Sequence, residues 1–392
     1  MIRTHVVVVG GGYAGTLAAN RLRQHPGVDI TLVNPRPAFV ERIRLHQYVA
    51  GTGTATIDFP ELLGDEIRLV VDSATRIDTA DRRVLLASGA ALDYHYLIYA
   101  VGSTGAITPA VPGAAEFAYS ISELEVAQRL LARLGELTPD APVTVVGGGL
   151  TGIEAASELA GQGRTVTLVC GGTLGPSLHT AGRRSVAKAL RKLGVDVREA
   201  ATVAEVRPDA VLLADGSTLP SQVTVWTAGF GVPELARVSG LATDALGRLL
   251  TDETLTSIDN PWIMAAGDAA APSGQPLRMS CQAALPLGAQ AANTVLARIA
   301  GDSPAALDQS FAAQCISVGR HAATVQLSHR DDTPTRAFIG GRLGAVVKET
   351  ICKFTVKLIR GEAAKPGSYR WFKGGRAAQI AQRQADREAT VR

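Results

Sequence analysis

The chain has 392 residues and a formal net charge of +3, with 46% hydrophobic and 19% charged residues. That composition excludes a disordered or fibrous protein and implies a globular one of two or three domains. No apolar run approaches the roughly 18 residues needed to span a bilayer, and the apolar stretch near the N-terminus is too short for a signal peptide, so a cytoplasmic location is expected. The four cysteines, Cys170, Cys281, Cys315 and Cys352, are far apart with no C-x-x-C. Neither a disulfide framework nor a metal site is indicated, and no nucleic-acid partner is expected.

In chain order, Val6 to Val9 is a wholly apolar run, as a strand buried on both faces should be. Gly10, Gly12 and Gly15 then form G-x-G-x-x-G where that strand turns into a helix reaching about His25, followed by a strand from Val28 to Asn34. The first glycine allows the tight turn, the second lets backbone approach a pyrophosphate, and the third lets the helix pack close to the strand. The helix N-terminus faces the phosphates, so a dinucleotide site is expected. Residues 35–63 read as a polar, irregular connection. Leu69 to Ala74 and Val84 to Ala87 are predicted strands, and Asp93 to Ser103 is an apolar strand ending in a glycine turn. Thr108 to Gly113, with two prolines, reads as a hinge. Residues 120–134 are a predicted amphipathic helix capped by Ser120 or Ser122.

The opening pattern then recurs: Gly147, Gly149 and Gly152 repeat the fingerprint between a strand and a helix, about 137 residues after the first. A helix at Arg183 to Leu193 follows, with strands near Val195, Val203 and Val211. Val223 to Phe230 echoes the end of the first unit. Gly267-Asp268 closes an apolar strand, and a helix is predicted from about Leu287 to Ile299. Alternating residues after Phe311 predict strands, and Val347 to Ile359 a helix with Val347, Ile351, Phe354 and Leu358 on one face. Residues 348–392 hold eleven Lys or Arg against four Asp or Glu, a net +7, which leaves the first 347 residues at −4. Such a tail could face a membrane surface or an acidic partner, or be a solvated helix.

Two fingerprints, two strand ends at Ala100 to Gly102 and Thr227 to Gly229, and a late Gly-Asp before a helix resemble the two-dinucleotide-binding-domain flavoproteins, the pyridine nucleotide–disulfide oxidoreductase superfamily. The resemblance covers about residues 5–300. It implies an α/β fold of two Rossmann-like domains with a small α+β C-terminal region. Residues 1–112 and 240–305 would bind FAD, residues 113–239 NADH or NADPH, and residues 306–392 would cap the interface. In the FAD unit the implied cofactor contacts are Gly10, Gly12, Tyr13, Ala14, Gly15, Asn34, Arg36, Arg44, Ala100 and Gly102. Asp268 after Gly267 would bind the flavin's ribityl chain, and the next helix would bring Leu287 and Gly288 near the ring. The nicotinamide unit would use Gly147, Gly149, Gly152 and Gly229.

Disulfide reductases of this superfamily carry a cysteine pair just after the first unit, where this chain has Val40 to Gln47 and no cysteine. What remains resembles type II NADH:quinone oxidoreductases, ferroptosis-suppressor and apoptosis-inducing-factor-like quinone reductases, and ferredoxin or rubredoxin reductases. The C-terminal stretch from Gly341 to Phe354 is most similar to the ferroptosis-suppressor branch. That resemblance implies catalytic roles for Glu154 and Lys348 beside flavin and nicotinamide. His46 belongs to a segment that commonly approaches the flavin in the superfamily.

Some positions depart from the pattern. The residue ending the second strand is usually an acid that binds ribose hydroxyls, but it is Asn34 in the first unit and Cys170 in the second. Without that acid, NADPH is as compatible as NADH, and Arg183 or Arg184 could meet a 2′-phosphate. Gln290 matches half of a motif found near the quinone in type II enzymes. The leading expectation is an FAD-dependent NAD(P)H oxidoreductase passing electrons to a quinone-like acceptor. The alternatives are a reductase of a small electron-carrier protein, a flavin-bound sensor, and a specialised biosynthetic flavoenzyme. A homodimer and a peripheral seat on the inner face of the membrane are left open.

Overall fold

The computed structural model describes residues 3–107 and 110–382. Two parallel five-stranded sheets dominate it. The first has the order Ile263–Ala265, Tyr96–Tyr99, Thr4–Val9, Val28–Asn34, Ile67–Val71. The second has the order Ala118–Ser120, Val223–Trp226, Val143–Val146, Val166–Val169, Asp196–Arg198. Each has the strand before its glycine turn at the centre, and the helices Tyr13–Leu22 and Leu150–Gly161 leave those central strands through the glycine turns. Val6 to Val9 and Val143 to Val146 are buried, as strands covered on both faces require. A three-stranded antiparallel sheet, Ala313–Ser317, Ala323–Ser328 and Pro334–Gly340, leads into the long helix Gly341–Ala364.

Several expectations shift. The connection after Asn34 is not irregular: Ala38–Val40 pairs antiparallel with Thr56–Asp58, with a short helix, Leu45–Val49, between them. Phe39, Leu45 and Phe59 are buried there, too widely spaced to show the periodicity that reveals an element. In place of a helix over 120–134, Ala118–Ser120 is a strand and the helix is Leu124–Gly135. Glu123 precedes that helix without a side-chain cap bond, and the Ser120 hydroxyl accepts from the Ser122 amide instead. Of the predicted hinge, Thr108 and Pro109 lie outside the described residues.

The helix expected from Leu287 begins earlier, spanning Cys281–Ala300 with Pro286 inside it and the Ser280 hydroxyl accepting from the Ala283 amide at 3.3 Å. A proline removes one intrahelical donor, which here strands the Gln282 carbonyl. The Gln309 amide nitrogen donates to that carbonyl at 3.3 Å, so the helix runs through. The final helix also exceeds its prediction, and its inward face differs: Cys352, Thr355, Val356 and Ile359 are buried, while Ile351 and Phe354 are exposed. The basic stretch beyond it is no solvated helix as far as residue 376. The Arg376 guanidinium is buried, with bonds to both Glu253 carboxylate oxygens and to the Gln275 and Pro272 carbonyls. Residues 383–392 of the tail lie outside the described residues.

Candidate cofactor clefts and the junction between them

The first glycine turn meets the steric demands that its spacing predicts. Gly10 has φ +106°, and a Cβ on it would strike the Ala100 carbonyl, so only glycine fits. A Cβ on Gly15 would collide with the Gly10 carbonyl oxygen, whereas Gly12 faces open space with no atom within 4 Å. That space belongs to a cleft of about 350 Å³ lined by Gly10, Gly12, Tyr13, Ala14, Asn34, Arg36, Ala100, Gly102, Gly267 and Asp268. Ten residues expected at one cofactor thus share one cleft, at the uncapped N-terminus of the Tyr13–Leu22 helix. Exposed amides and an open glycine suit a pyrophosphate.

Asn34 is first a turn clamp. Its Oδ1 accepts from the Gly11 amide at 2.9 Å and its Nδ2 donates to the Arg36 carbonyl at 2.7 Å. Arg36 makes a two-pronged pair with Glu125, at 2.5 and 2.6 Å, across to the Leu124–Gly135 helix. That pairing raises the guanidinium's pKa and lowers the carboxyl's. Asp268 accepts from the Ser103 hydroxyl at 2.7 Å, and Arg42 Nη1 donates to the same hydroxyl at 2.9 Å. Arg42, Ser103, Asp72 and Ser73 all line the cleft. Sequence reasoning missed them, because isolated polar residues at strand ends carry no spacing signal.

Four expected residues lie elsewhere. Leu287 sits two turns into its helix in the hydrophobic core, and Ala284 lines the cleft instead. Gly288 packs against the Ala14 backbone, where a Cβ would not fit. Arg44 faces a different cavity and pairs with Glu349 and Glu41. Gln290, read as a quinone-site residue, is buried and donates to the Ala305 carbonyl at 2.8 Å.

The second turn repeats the first. Gly147 has φ +121°, Gly149 has nothing within 4 Å, and a Cβ on Gly152 would strike the Gly147 carbonyl. The Leu150–Gly161 helix again starts without a side-chain cap. Gly229, with φ +86°, faces Ala106 and does not line the flavin-type cleft. Cys170 lies against the turn, 2.8 Å from the Cβ that Gly148 lacks.

Glu154, on the second turn's helix, meets Lys348 of the long C-terminal helix and His46 of the Leu45–Val49 helix. Lys348 Nζ donates to Glu154 Oε1 at 2.8 Å and to the Cys315 carbonyl at 3.1 Å. The Ser317 amide donates to the same carboxylate oxygen at 3.0 Å, and His46 Nδ1 lies 3.8 Å from Oε2. Burial pushes the Glu154 carboxyl up, but Lys348, His46 and the Ser317 amide outweigh it and hold it below its usual value. Burial lowers Lys348, and Glu154 more than offsets this. Burial depresses His46 to about 4 against the pull of Glu154, so His46 is neutral at pH 7. Burial pushes the Cys281 thiol up, against the pull of Lys348. On its other side Lys348 lines a cavity of about 720 Å³ with Arg44, Ser317, Arg320, His321 and Glu349.

The pyridine nucleotide-disulphide oxidoreductase family matches residues 4–288, and the chain belongs to that family. An NADH dehydrogenase-like protein of Mycobacterium tuberculosis is 35% identical over 323 residues, covering 75% of this chain and 80% of that protein. A type II NADH:quinone oxidoreductase of Staphylococcus epidermidis is 26% identical over 344 residues, covering 77% and 84%. The crystal structure of a sulfide:quinone oxidoreductase from Aquifex aeolicus superposes with a TM-score of 0.78 at 21% identity, covering 93% of each chain, a likeness of fold. No helix among the described residues is long and apolar enough to cross a membrane.

Proposed function

We propose that this chain is an FAD-dependent oxidoreductase that draws hydride from a nicotinamide nucleotide and passes the electrons to a quinone-like acceptor without a redox disulfide. Bound FAD supplies the hydride-accepting and electron-donating chemistry. The chain's own residues hold and tune. Gly10, Gly12 and the amides of the Tyr13–Leu22 helix take the pyrophosphate, while Asn34 keeps that turn rigid. Asp268, oriented by Ser103 and Arg42, takes hydroxyls of the ribityl chain. Gly147, Gly149 and Gly152 hold the nicotinamide nucleotide in the same manner.

The observation that carries the reading is the buried meeting of Glu154 and Lys348. It joins the second fingerprint's helix to the C-terminal helix. A fixed ammonium there stabilises negative charge that builds in the site, and its partner carboxylate keeps it in place. No cysteine pair follows the first turn, and the four cysteines are free thiols, so the chain offers no redox disulfide that would relay electrons from a bound flavin.

The acceptor's polarity is read from the outer face of the Gly341–Ala364 helix. Leu343, Val346 and Phe354 are 65%, 63% and 52% exposed there, among the exposed Arg342, Lys353 and Lys357. An apolar face rimmed by cations fits an anionic lipid surface, where a lipid-soluble quinone resides. Flotation with anionic vesicles should carry the protein, and Phe354→Glu should abolish this; equal flotation of both would refute the membrane seat. The activity is tested by rapid mixing of the flavin-loaded protein with nicotinamide nucleotide and then a short-chain quinone. Glu154→Gln should slow flavin reduction and Lys348→Ala should slow reoxidation. Unchanged rates in both would overturn these roles, and salt-sensitive turnover with a ferredoxin in place of quinone would favour the carrier-protein reading.

A further inference from the structure

The second unit lacks the strand-end carboxylate that a ribose diol would use, because Cys170 occupies that place. A carboxylate arrives from the next strand over. Val166–Val169 and Asp196–Arg198 are parallel with Val169 opposite Arg198, and the Cys170 amide donates to the Arg198 carbonyl at 2.9 Å. Glu199 is therefore the next residue in register, beside Cys170. The Ala200 amide donates to the Gly172 carbonyl at 2.8 Å and the Gly171 amide to the Ala201 carbonyl at 2.9 Å, which carries the pairing past the strand ends. The Leu174 amide donates to Glu199 Oε1 at 2.7 Å, fixing the carboxylate against the loop after Cys170. Burial and this nearby charge push the Cys170 thiol up to about 11.

The first unit indicates what that position faces. Its second and third strands pair with the same register, Val33 opposite Val70 and Asn34 opposite Val71. The chain just beyond, Asp72 and Ser73, lines the flavin-type cleft together with Asn34. In the first unit the chain just past the third strand thus borders the cleft, and Glu199 stands one position before the equivalents of Asp72 and Ser73, in the place of the apolar Val71.

We propose that Glu199 is the ribose-recognising residue of the second unit, taking the adenosine 2′-hydroxyl on Oε2 and setting a preference for NADH over NADPH. The proposal rests on the reading that this unit binds a nicotinamide nucleotide. A 2′-phosphate would meet the Glu199 carboxylate as like charge against like. Two of the neighbouring cations are engaged elsewhere, Arg198 with Asp196 at 2.8 Å and Arg183 with the Thr180 hydroxyl at 3.2 Å, while Arg184 is exposed on the same helix as Arg183.

The test is calorimetric titration of the flavin-loaded protein with ADP-ribose and with its 2′-phosphorylated form, neither of which carries a nicotinamide to react. Wild type should bind ADP-ribose at least about tenfold more tightly. Glu199→Gln retains an acceptor for the Leu174 amide, so the loop should hold and thermal stability should be unchanged. In that variant the margin should shrink by about tenfold, chiefly through tighter binding of the phosphorylated form. An unchanged margin in Glu199→Gln, or a wild-type preference for the phosphorylated ligand, would overturn the proposal while leaving the nicotinamide reading intact. Failure of wild type to bind either ligand would overturn that reading and the proposal with it.

Discussion

The two dinucleotide units share a backbone template and differ in what surrounds it. In the first, the turn is clamped by a buried side chain, Asn34, on the Gly11 amide, and the cleft borrows walls from other parts of the chain through Arg42, Ser103, Glu123 and Asp268. In the second, the corresponding residue is a thiol, a weak acceptor, and the loop beyond it is held by Glu199 from a neighbouring strand. The backbone demands, a tight turn and a close helix, are met identically. Side-chain investment is heavier in the first unit. That difference suits a tightly retained group in the first cleft and an exchanging nucleotide in the second.

The largest expected effects come from breaking each template separately. Gly15→Ala and Gly152→Ala each drive a Cβ into a carbonyl oxygen of the preceding turn, a cost on the order of 3 kcal/mol or more unless the helix shifts. Gly15→Ala should abolish flavin retention, read as the ratio of flavin to protein absorbance. Gly152→Ala should keep the flavin and lose nucleotide binding. Loss of flavin in both would mean that the units are not separable.

The junction that joins them has its own signature in pH. His46 titrates at about 4 in the fold, against about 6.5 in an unfolded chain. The unfolded state therefore binds its proton first, and stability present above pH 6.5 is lost as pH falls toward 4, by about 3 kcal/mol in all. Urea unfolding at a series of pH values should show that decline, and His46→Gln should flatten it. An equal decline in both proteins would assign it to other groups.

The smallest effect compares the two strand ends directly. Asn34→Ala strands the buried Gly11 amide and should cost about 1–2 kcal/mol, together with weaker flavin retention. Cys170→Ala removes a half-buried thiol and should cost under about 1 kcal/mol. Equal losses, measured by chemical unfolding, would erase the distinction drawn between the clamps.

What was legible in the sequence follows from how local the cause is. The glycine turns could be read because a carbonyl a few residues away forbids any Cβ at Gly15 and Gly152. Glu154 and Lys348, 194 positions apart, came from family resemblance, since no spacing argument reaches that far. The Cys281–Ala300 helix runs through Pro286 because a tertiary bond from Gln309 meets the carbonyl that the proline strands, a compensation no local pattern announces. The earlier start puts Leu287 in the core and Ala284 at the cleft. Arg44, a cofactor contact by family resemblance, is instead committed to Glu349, far along the chain. Glu199 was invisible because its place beside Cys170 exists only once two strands have paired.

The most direct measurement is anaerobic mixing of the flavin-loaded protein with NADH, followed by a soluble quinone, with flavin absorbance as the readout. Bleaching within seconds and recovery on adding quinone is the predicted result. A flavin that stays oxidised in the presence of both NADH and NADPH would contradict the account.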